Sequence, residues 1–283
     1  MPLYQVVVLA VVQAITEFLP ISSTAHLALV PWLLKWRDPG LTFDVALHVG
    51  TLVAVLVYFW RVWVRLLFAG FGLQPPVAAA RHGANPNPDE QVADRRLVWL
   101  LAVGTLPAAA AGYTFEHYVE TTLRSPYVMA ATMILVALLM AYGERVSRQL
   151  HGLKDMRLSD TLVVGCAQAV ALIPGVSRSG ITITAALMRD FRRDTAARFS
   201  FLLSTPVVAG AVAKKAFDLL RTGFPAGMQA PFLVGIAVAG LVGYLVIAFL
   251  IRYLQTRTLK IFIYYRLVFG IIILALAIFT SAP

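Results

Sequence analysis

Two polar segments interrupt apolar stretches of this sequence, and both contain residue types suited to binding an anion. They cover 13–26 and 168–180. Each opens with Gln-Ala, breaks at a proline and passes through hydroxyl side chains into another apolar stretch. Charged side chains cost about 2.5–3.5 kcal/mol each in hydrocarbon, so a chain that retains them there usually needs them. We therefore expect a polar pocket, built by two broken helices inside a membrane.

The first segment predicts a helix that stops at a proline. Gln13 and Glu17 are four residues apart and share one helix face. Pro20 ends this helix because it cannot donate a backbone hydrogen bond and restricts the residue before it. The pattern places an amide and a carboxylate together just before the break.

The hydroxyl cluster after this proline predicts the start of a second helix. Ser22, Ser23 and Thr24 are strong N-cap types, and His26 falls in the first turn. Such a helix start offers free N–H groups and a positive dipole end to an anion. The sequence leaves duller alternatives open: the hydroxyls are also explained as simple caps, and His26 as a core histidine bonded to a backbone carbonyl.

The second segment has a stronger anion signature. Pro174 and Gly175 make a turn, and Ser177, Arg178 and Ser179 follow it. The planar guanidinium of arginine binds phosphate through paired contacts, so two facing helix starts would cradle a phosphate or diphosphate. A purely structural ion pair between Glu17 and Arg178 is the alternative.

Three further polar positions have open or different interpretations. Asp44 and His48, four residues apart, either brace their own helix or touch substrate. Arg266 follows two tyrosines, which is typical of an interfacial belt with a cation that extends to the membrane surface.

Composition identifies the elements that must position these residues. Hydrophobic residues make up 59% of the 283 residues, charged residues 13%, and the mean hydropathy is +0.78. A soluble domain has about 25% charged residues. The apolar stretches of spanning length are 42–60, 97–112, 127–142, 199–217, 231–251 and 261–280. The fold class is therefore an all-α polytopic membrane protein with six transmembrane helices.

The shorter apolar stretches predict two re-entrant helix hairpins, 3–34 and 158–188, because irregular backbone at membrane depth must line a protein cavity. We expect one membrane domain over 1–283. Its first repeat covers about 1–112 and its second about 127–251, in inverted topology, with the ligand site at their interface. A loop at about 61–96 and a last helix at 261–280 complete the prediction.

The formal net charge of +10 is explained by topology. Most of the 24 Lys and Arg residues lie in four stretches: 61–96, 145–157, 189–198 and 252–260. A positive-inside bias places these in the cytoplasm and both termini outside. This distribution argues against nucleic acid as a partner.

At these motifs the chain resembles the BacA/UppP family of undecaprenyl-diphosphate phosphatases. The similarity rests on QxxxEFLPISSTAH at 13–26, PGVSRSG at 174–180 and FDVALHVGT at 43–51. It covers essentially the whole chain. The first motif position is Glu in many members and Gln13 here, so a metal site with two carboxylates from this segment is not expected.

The resemblance implies a membrane enzyme that hydrolyses undecaprenyl diphosphate and recycles the lipid carrier for cell-wall synthesis, with associated bacitracin resistance. It implies six spans, two re-entrant helix pairs, a pocket that opens to the outer face of the bacterial inner membrane, and a divalent cation, Mg²⁺ or Ca²⁺. The functional residues that match are Glu17, Ser23, Thr24, His26, Ser177 and Arg178. The expected partners are the lipid substrate and membrane lipids, with a homodimer as one option.

From these positions we draw a hypothesis for the site. The catalytic candidates are Glu17, Ser23, His26 and Arg178, with Glu17 also the candidate metal ligand. The substrate-binding candidates are Gln13, Ser22, Thr24, Ser177 and Ser179. The nucleophile stays open between His26, Ser23 and water. A transporter or flippase for a phosphorylated lipid or organic anion is the alternative function, because inverted repeats with broken helices also build carriers.

Overall fold

The computed structural model describes residues 1–37, 40–74, 76, 88–222 and 227–279. Helices dominate this part of the chain, as the composition predicts. They are α1 Leu3–Phe18, α2 Ser23–Leu33, α3 Leu41–Tyr58, α4 Trp60–Gly70, α5 Pro88–Thr122, α6 Pro126–Val146, α7 Leu158–Val170, α8 Arg178–Leu187, α9 Arg193–Thr222, α10 Gln229–Thr256 and α11 Lys260–Phe279.

The long helices match the predicted membrane spans. Five of them, α5, α6, α9, α10 and α11, are long and apolar enough to cross a membrane. A sixth span forms if α3 and α4 count together, although the chain bends by 77° between them. The prediction of a polytopic all-α membrane protein is confirmed. The inverted orientation of two repeats stays a prediction.

The two predicted hairpins are present as pairs of short helices, and their breaks share an unusual backbone conformation. The residue before α2 is Ser22, with φ 76° and ψ 100°, and the residue before α8 is Ser177, with φ 68° and ψ 112°. Non-glycine residues seldom adopt positive φ, and such strain concentrates at functional sites. The match between the breaks supports the internal repeat that the sequence suggests.

Glycines let the second hairpin approach a spanning helix closely. Gly165 of α7 lies against the backbone of Gly104 in α5, where a side chain on Gly165 would collide with the Gly104 carbonyl. Gly50 of α3 meets the backbone of α10 at Ile236 in the same manner. Small residues are the usual means by which membrane helices pack, because no hydrophobic effect drives them together in lipid. The second hairpin is thus packed closely against α5, and α3 against α10.

The predicted loop at 61–96 contains more regular structure than its composition suggests. Helix α4 occupies its first part and α5 begins at Pro88, while residues 75 and 77–87 lie outside the described residues. The buried side chains of Arg65 in α4 and Asp94 in α5 pair at 3.1 Å and join the two helices. The composition of 61–96 does not predict these helices, in which the charged side chains of Arg65 and Asp94 pair with one another.

Candidate active site

Glu17 is the centre of the site. It lies in the last turn of α1, and its side chain is only 6% exposed. One carboxylate oxygen, Oε2, accepts a hydrogen bond of 2.7 Å from the Ser23 hydroxyl at the start of α2. The other, Oε1, accepts from Nη2 of Arg178 at the start of α8. The carboxylate therefore links the end of α1 to the start of α2 in its own hairpin and to the start of α8 in the other.

Ser179 strengthens the junction between the hairpins through the backbone. Its hydroxyl lies 3.1 Å from the carbonyl oxygen of Leu19 and 3.4 Å from that of Glu17. These carbonyls have lost helical partners because α1 ends at Phe18. Ser179 thus satisfies the end of α1 and holds Arg178 beside Glu17.

Two further side chains surround the Glu17 carboxylate. Nε2 of Gln13 donates to Oε2 at 3.3 Å, as expected from their shared helix face. Nε2 of His48, from α3, lies 3.6 Å from the same oxygen. The Asp44 carbonyl accepts from Nδ1 of His48 at 2.7 Å, so Nδ1 carries a proton and Nε2 faces the Glu17 carboxylate. His48 therefore bonds a carbonyl of its own helix and also lines the site, and its contact with substrate stays a prediction.

Glu17, Ser23, His48 and Arg178 line a cavity of about 260 Å³ between the hairpins, whereas Gln13 and Ser179 are not part of its lining. Its polar lining consists of Thr16, Glu17, Ser22, Ser23, Thr24, His48, Gln168, Ser177 and Arg178. Apolar residues of α5 and α9 complete the wall. The Arg178 side chain is 22% exposed, so its guanidinium is accessible from the cavity. Most of the predicted site residues therefore meet in one place.

His26 does not line this cavity, although it belongs to the same helix start. Its Nδ1 lies 2.6 Å from the Ser22 carbonyl, and its Nε2 lies 2.6 Å from the Tyr265 hydroxyl. A carbonyl only accepts, so Nδ1 donates and Nε2 accepts from the tyrosine. The ring also stacks on Phe269, with centroids 4.2 Å apart. Both ring nitrogens are occupied, which places His26 behind the site as a support for the Ser22 turn.

The remaining hydroxyls divide between capping and lining. The Ser177 hydroxyl caps α8 by accepting from the Gly180 amide at 3.2 Å. The Ser22 side chain makes no capping hydrogen bond, although the residue occupies the N-cap of α2. Thr24, which sits in the first turn of α2, is exposed. Ser22, Thr24 and Ser177 all reach the cavity wall, so capping and ligand contact are compatible at these positions.

Arg266 lies where the sequence did not predict it. It is fully buried rather than extended to the membrane surface. Its guanidinium donates to carbonyl oxygens at both breaks: Pro20 at 3.3 Å, Gly175 at 2.9 Å and Val176 at 3.1 Å. It also reaches the carbonyls of Thr132 and Met133 in α6, both at 3.3 Å. The interfacial interpretation is therefore wrong. Backbone carbonyls at the two breaks accept the hydrogen bonds that water would accept from a cation at the membrane surface.

The donor set around Glu17 is suited to a hard divalent cation only if the substrate contributes ligands. Within the described ranges, no group of three or more His, Cys, Asp or Glu side chains could hold a metal ion. The buried Oε1 of Gln13, however, has no hydrogen-bond partner beside the Glu17 carboxylate. Mg²⁺ is commonly held by one or two carboxylates together with substrate phosphates. One carboxylate and one free amide oxygen fit that arrangement.

Known proteins are similar to this chain over nearly its whole length. Residues 6–272 match the family model described as "Bacitracin resistance protein BacA". The chain is 44% identical over 275 residues to an "Undecaprenyl-diphosphatase" of Moorella thermoacetica, covering 97% of this chain and 98% of the relative. It is 45% identical over 276 residues to a protein of the same name from Geobacter sulfurreducens, covering 97% and 98%. The chain therefore belongs to the bacitracin resistance protein BacA family.

Proposed function

We propose that this chain hydrolyses undecaprenyl diphosphate to undecaprenyl phosphate and inorganic phosphate at the cavity between its two hairpins. The observation that carries the proposal is the Glu17 carboxylate, which binds the Ser23 hydroxyl of one hairpin and the Arg178 guanidinium of the other. A hydroxyl on a carboxylate and a guanidinium facing the same cavity are the parts that phosphoryl transfer requires. We infer the identity of the substrate from the relatives, which are named undecaprenyl-diphosphatases.

Arg178 binds the terminal phosphate in this mechanism. A guanidinium has five N–H donors, and the bond to Glu17 occupies one of its nitrogens. The remaining donors can form paired contacts with phosphate oxygens. The helix starts of α2 and α8 add the positive ends of their dipoles, which also favour an anion.

Ser23 is the nucleophile that the geometry favours. Its hydroxyl attacks the terminal phosphorus while its proton passes to Oε2 of Glu17, 2.7 Å away. The bond from phosphorus to the bridging oxygen breaks, and its electron pair leaves with undecaprenyl phosphate. Water then hydrolyses the phosphoserine after Glu17 has released its proton. His26 is less suited to attack because both of its ring nitrogens are bonded elsewhere.

A divalent cation, Mg²⁺ or Ca²⁺, belongs to the proposal as well. Glu17 and the free amide oxygen of Gln13 would hold it together with oxygens of the diphosphate. When bound, the cation would neutralise phosphate charge. Gln13 also has a role without it, because its amide group donates to Glu17 and fixes the orientation of the carboxylate.

The lipid tail has an apolar path beside the polar cavity. A second cavity of about 520 Å³, bordered by α3, α9 and α10, is lined mostly by apolar side chains. It shares Val45 and Val212 with the wall of the active-site cavity. Because the two cavities are adjacent, we propose that the diphosphate enters the polar cavity while the isoprenoid chain lies in the apolar cavity and in lipid.

The chain is a multi-pass membrane protein. For its location we propose the bacterial inner membrane, with both termini and the pocket opening on the outer side. The support is the distribution of Lys and Arg, which is concentrated in the four stretches predicted to be cytoplasmic. Labelling of single cysteines placed near either terminus by a membrane-impermeant reagent tests this orientation; protection of both termini in intact cells would contradict it.

The function is tested by phosphate release from undecaprenyl diphosphate with protein purified in detergent. No gradient exists in detergent, so a carrier would transport nothing and would release no phosphate. We expect turnover in the parent and a loss of orders of magnitude in Arg178→Ala, with an exposed substitution, Arg252→Ala, as the matched control. A folded protein that binds the lipid without releasing phosphate would contradict the phosphatase and favour the carrier.

A further inference from the structure

Gln168 is a buried polar side chain of the cavity to which the mechanism above assigns no role. It lies in the last turn of α7 and opens the second Gln-Ala, as Gln13 opens the first. It is only 2% exposed, yet it lines the same cavity as Glu17 and Arg178. Its place in the repeat and its place in the cavity are independent reasons to ask what it binds.

The amide of Gln168 has no hydrogen-bond partner among the residues that the structure describes. Neither Nε2 nor Oε1 makes a hydrogen bond, and no other described residue has two such buried polar atoms. Buried polar groups are almost always hydrogen-bonded, and an unpaired one in a native structure calls for an explanation such as a missing ligand. Gln13, by contrast, uses its amide group to bind Glu17. The two glutamines therefore have the same position in the repeat, but of the two only Gln13 makes a side-chain hydrogen bond.

We propose that Gln168 is a substrate-binding residue for the terminal phosphate. Its amide presents a donor and an acceptor side by side. A monoprotonated phosphate presents the complementary pair, because its ionised oxygen accepts and its hydroxyl donates. Arg178 neutralises the charge of this group, and Gln168 orients it toward Ser23. The inference rests on the proposed phosphatase function and adds a residue to its binding site.

Thr161 offers a matched control on the same helix. It lies seven residues before Gln168 and so on the same face of α7. Its hydroxyl is also buried without a hydrogen-bond partner, but the residue does not line the active-site cavity. Thr161→Val removes this hydroxyl with little change in shape, and it leaves the proposed phosphate contacts in place.

The experiment compares Gln168→Met, Gln168→Glu and Thr161→Val with the parent in the detergent assay, and follows thermal unfolding without substrate. We expect kcat/KM for phosphate release to fall about 10- to 100-fold in Gln168→Met, as for other hydrogen bonds to charged groups. Gln168→Glu should lose at least as much because its charge repels phosphate. We expect Thr161→Val to stay within about twofold of the parent.

Stability separates a ligand-binding amide from a structural one. If the amide pairs only with substrate, it is an unpaired buried polar group in the free enzyme and lowers its stability. Its removal in Gln168→Met should therefore leave the Tm at the parental value or raise it. Parental kcat/KM in Gln168→Met, or a clear fall in its Tm, would overturn the inference. Absence of phosphate release from the parent itself would instead refute the proposed function.

Discussion

Replacement of Arg266 should weaken the whole site without touching the cavity. Its guanidinium binds carbonyls of Pro20, Gly175 and Val176, so one side chain fixes the breaks of both hairpins. Arg266→Met keeps much of the volume and removes every donor. Arg266→Lys keeps the charge but cannot reproduce the planar set of donors.

The magnitude follows from the contacts. The bonds to Gly175 and Val176, at 2.9 and 3.1 Å, are the shortest of the five. Each hydrogen bond to a charged group contributes about 1.5–3 kcal/mol, and breaking a buried charged network by removing one partner costs about 3–5 kcal/mol. Against a total stability of about 5–15 kcal/mol, this is a large fraction. We expect Tm to fall by about 10 °C in Arg266→Met.

The assay is thermal unfolding of the detergent-purified variants, followed together with phosphate release at a temperature where all of them are folded. Arg252→Met, on the exposed surface of α10, is the control and should unfold like the parent. We also expect lower kcat in Arg266→Lys, because the helix starts that hold Ser23 and Arg178 would shift. A parental Tm together with parental kcat in Arg266→Met would mean that Arg266 does not hold the two breaks in place.

Four further predictions concern the site itself. Glu17→Gln removes the proton acceptor of Ser23, so phosphate release in detergent should fall about 10²–10⁴-fold; parental turnover would contradict that role. Arg178→Lys keeps the charge but loses the planar donors, so kcat/KM should fall about 10- to 100-fold, and unchanged kinetics would argue against phosphate binding there. His26→Gln breaks contacts behind the cavity, so its Tm should fall while KM stays near parental. Abolished turnover at the parental Tm would instead mean that His26 takes part directly in the reaction. Chelation with EDTA should stop turnover and added Mg²⁺ restore it, while full activity in EDTA would eliminate the cation.

The sequence predicts the hairpins and much of the site because their signals are local. Pro20 and the Pro174-Gly175 pair stop helices wherever they occur, and polar side chains in an apolar chain must share a cavity. The repeat then places Glu17 opposite Arg178, as the structure has them. The spans follow from apolar length alone, except at α3 and α4, where a 77° bend lies at the end of the apolar stretch 42–60, just before Arg61.

The sequence leaves the position of His26 open and mispredicts that of Arg266, because both side chains depend on distant partners. His26 turns away from the cavity because Tyr265 and Phe269, some 240 residues later, bind and stack on it. Arg266 is buried because three separate segments of the chain bring carbonyls to it. Gln168 had a signal, its match to Gln13 in the repeat, but only the unpaired amide indicates a role.

The most direct test of the mechanism is rapid quenching of the reaction with undecaprenyl diphosphate labelled with ³²P in its terminal phosphate. The account predicts a transient phosphoserine in the peptide that contains Ser23, formed at a rate at least equal to turnover and absent from Ser23→Ala. Its formation should slow sharply in Glu17→Gln, because the carboxylate accepts the Ser23 proton. Parental turnover by Ser23→Ala, or label that maps to His26, would contradict the account.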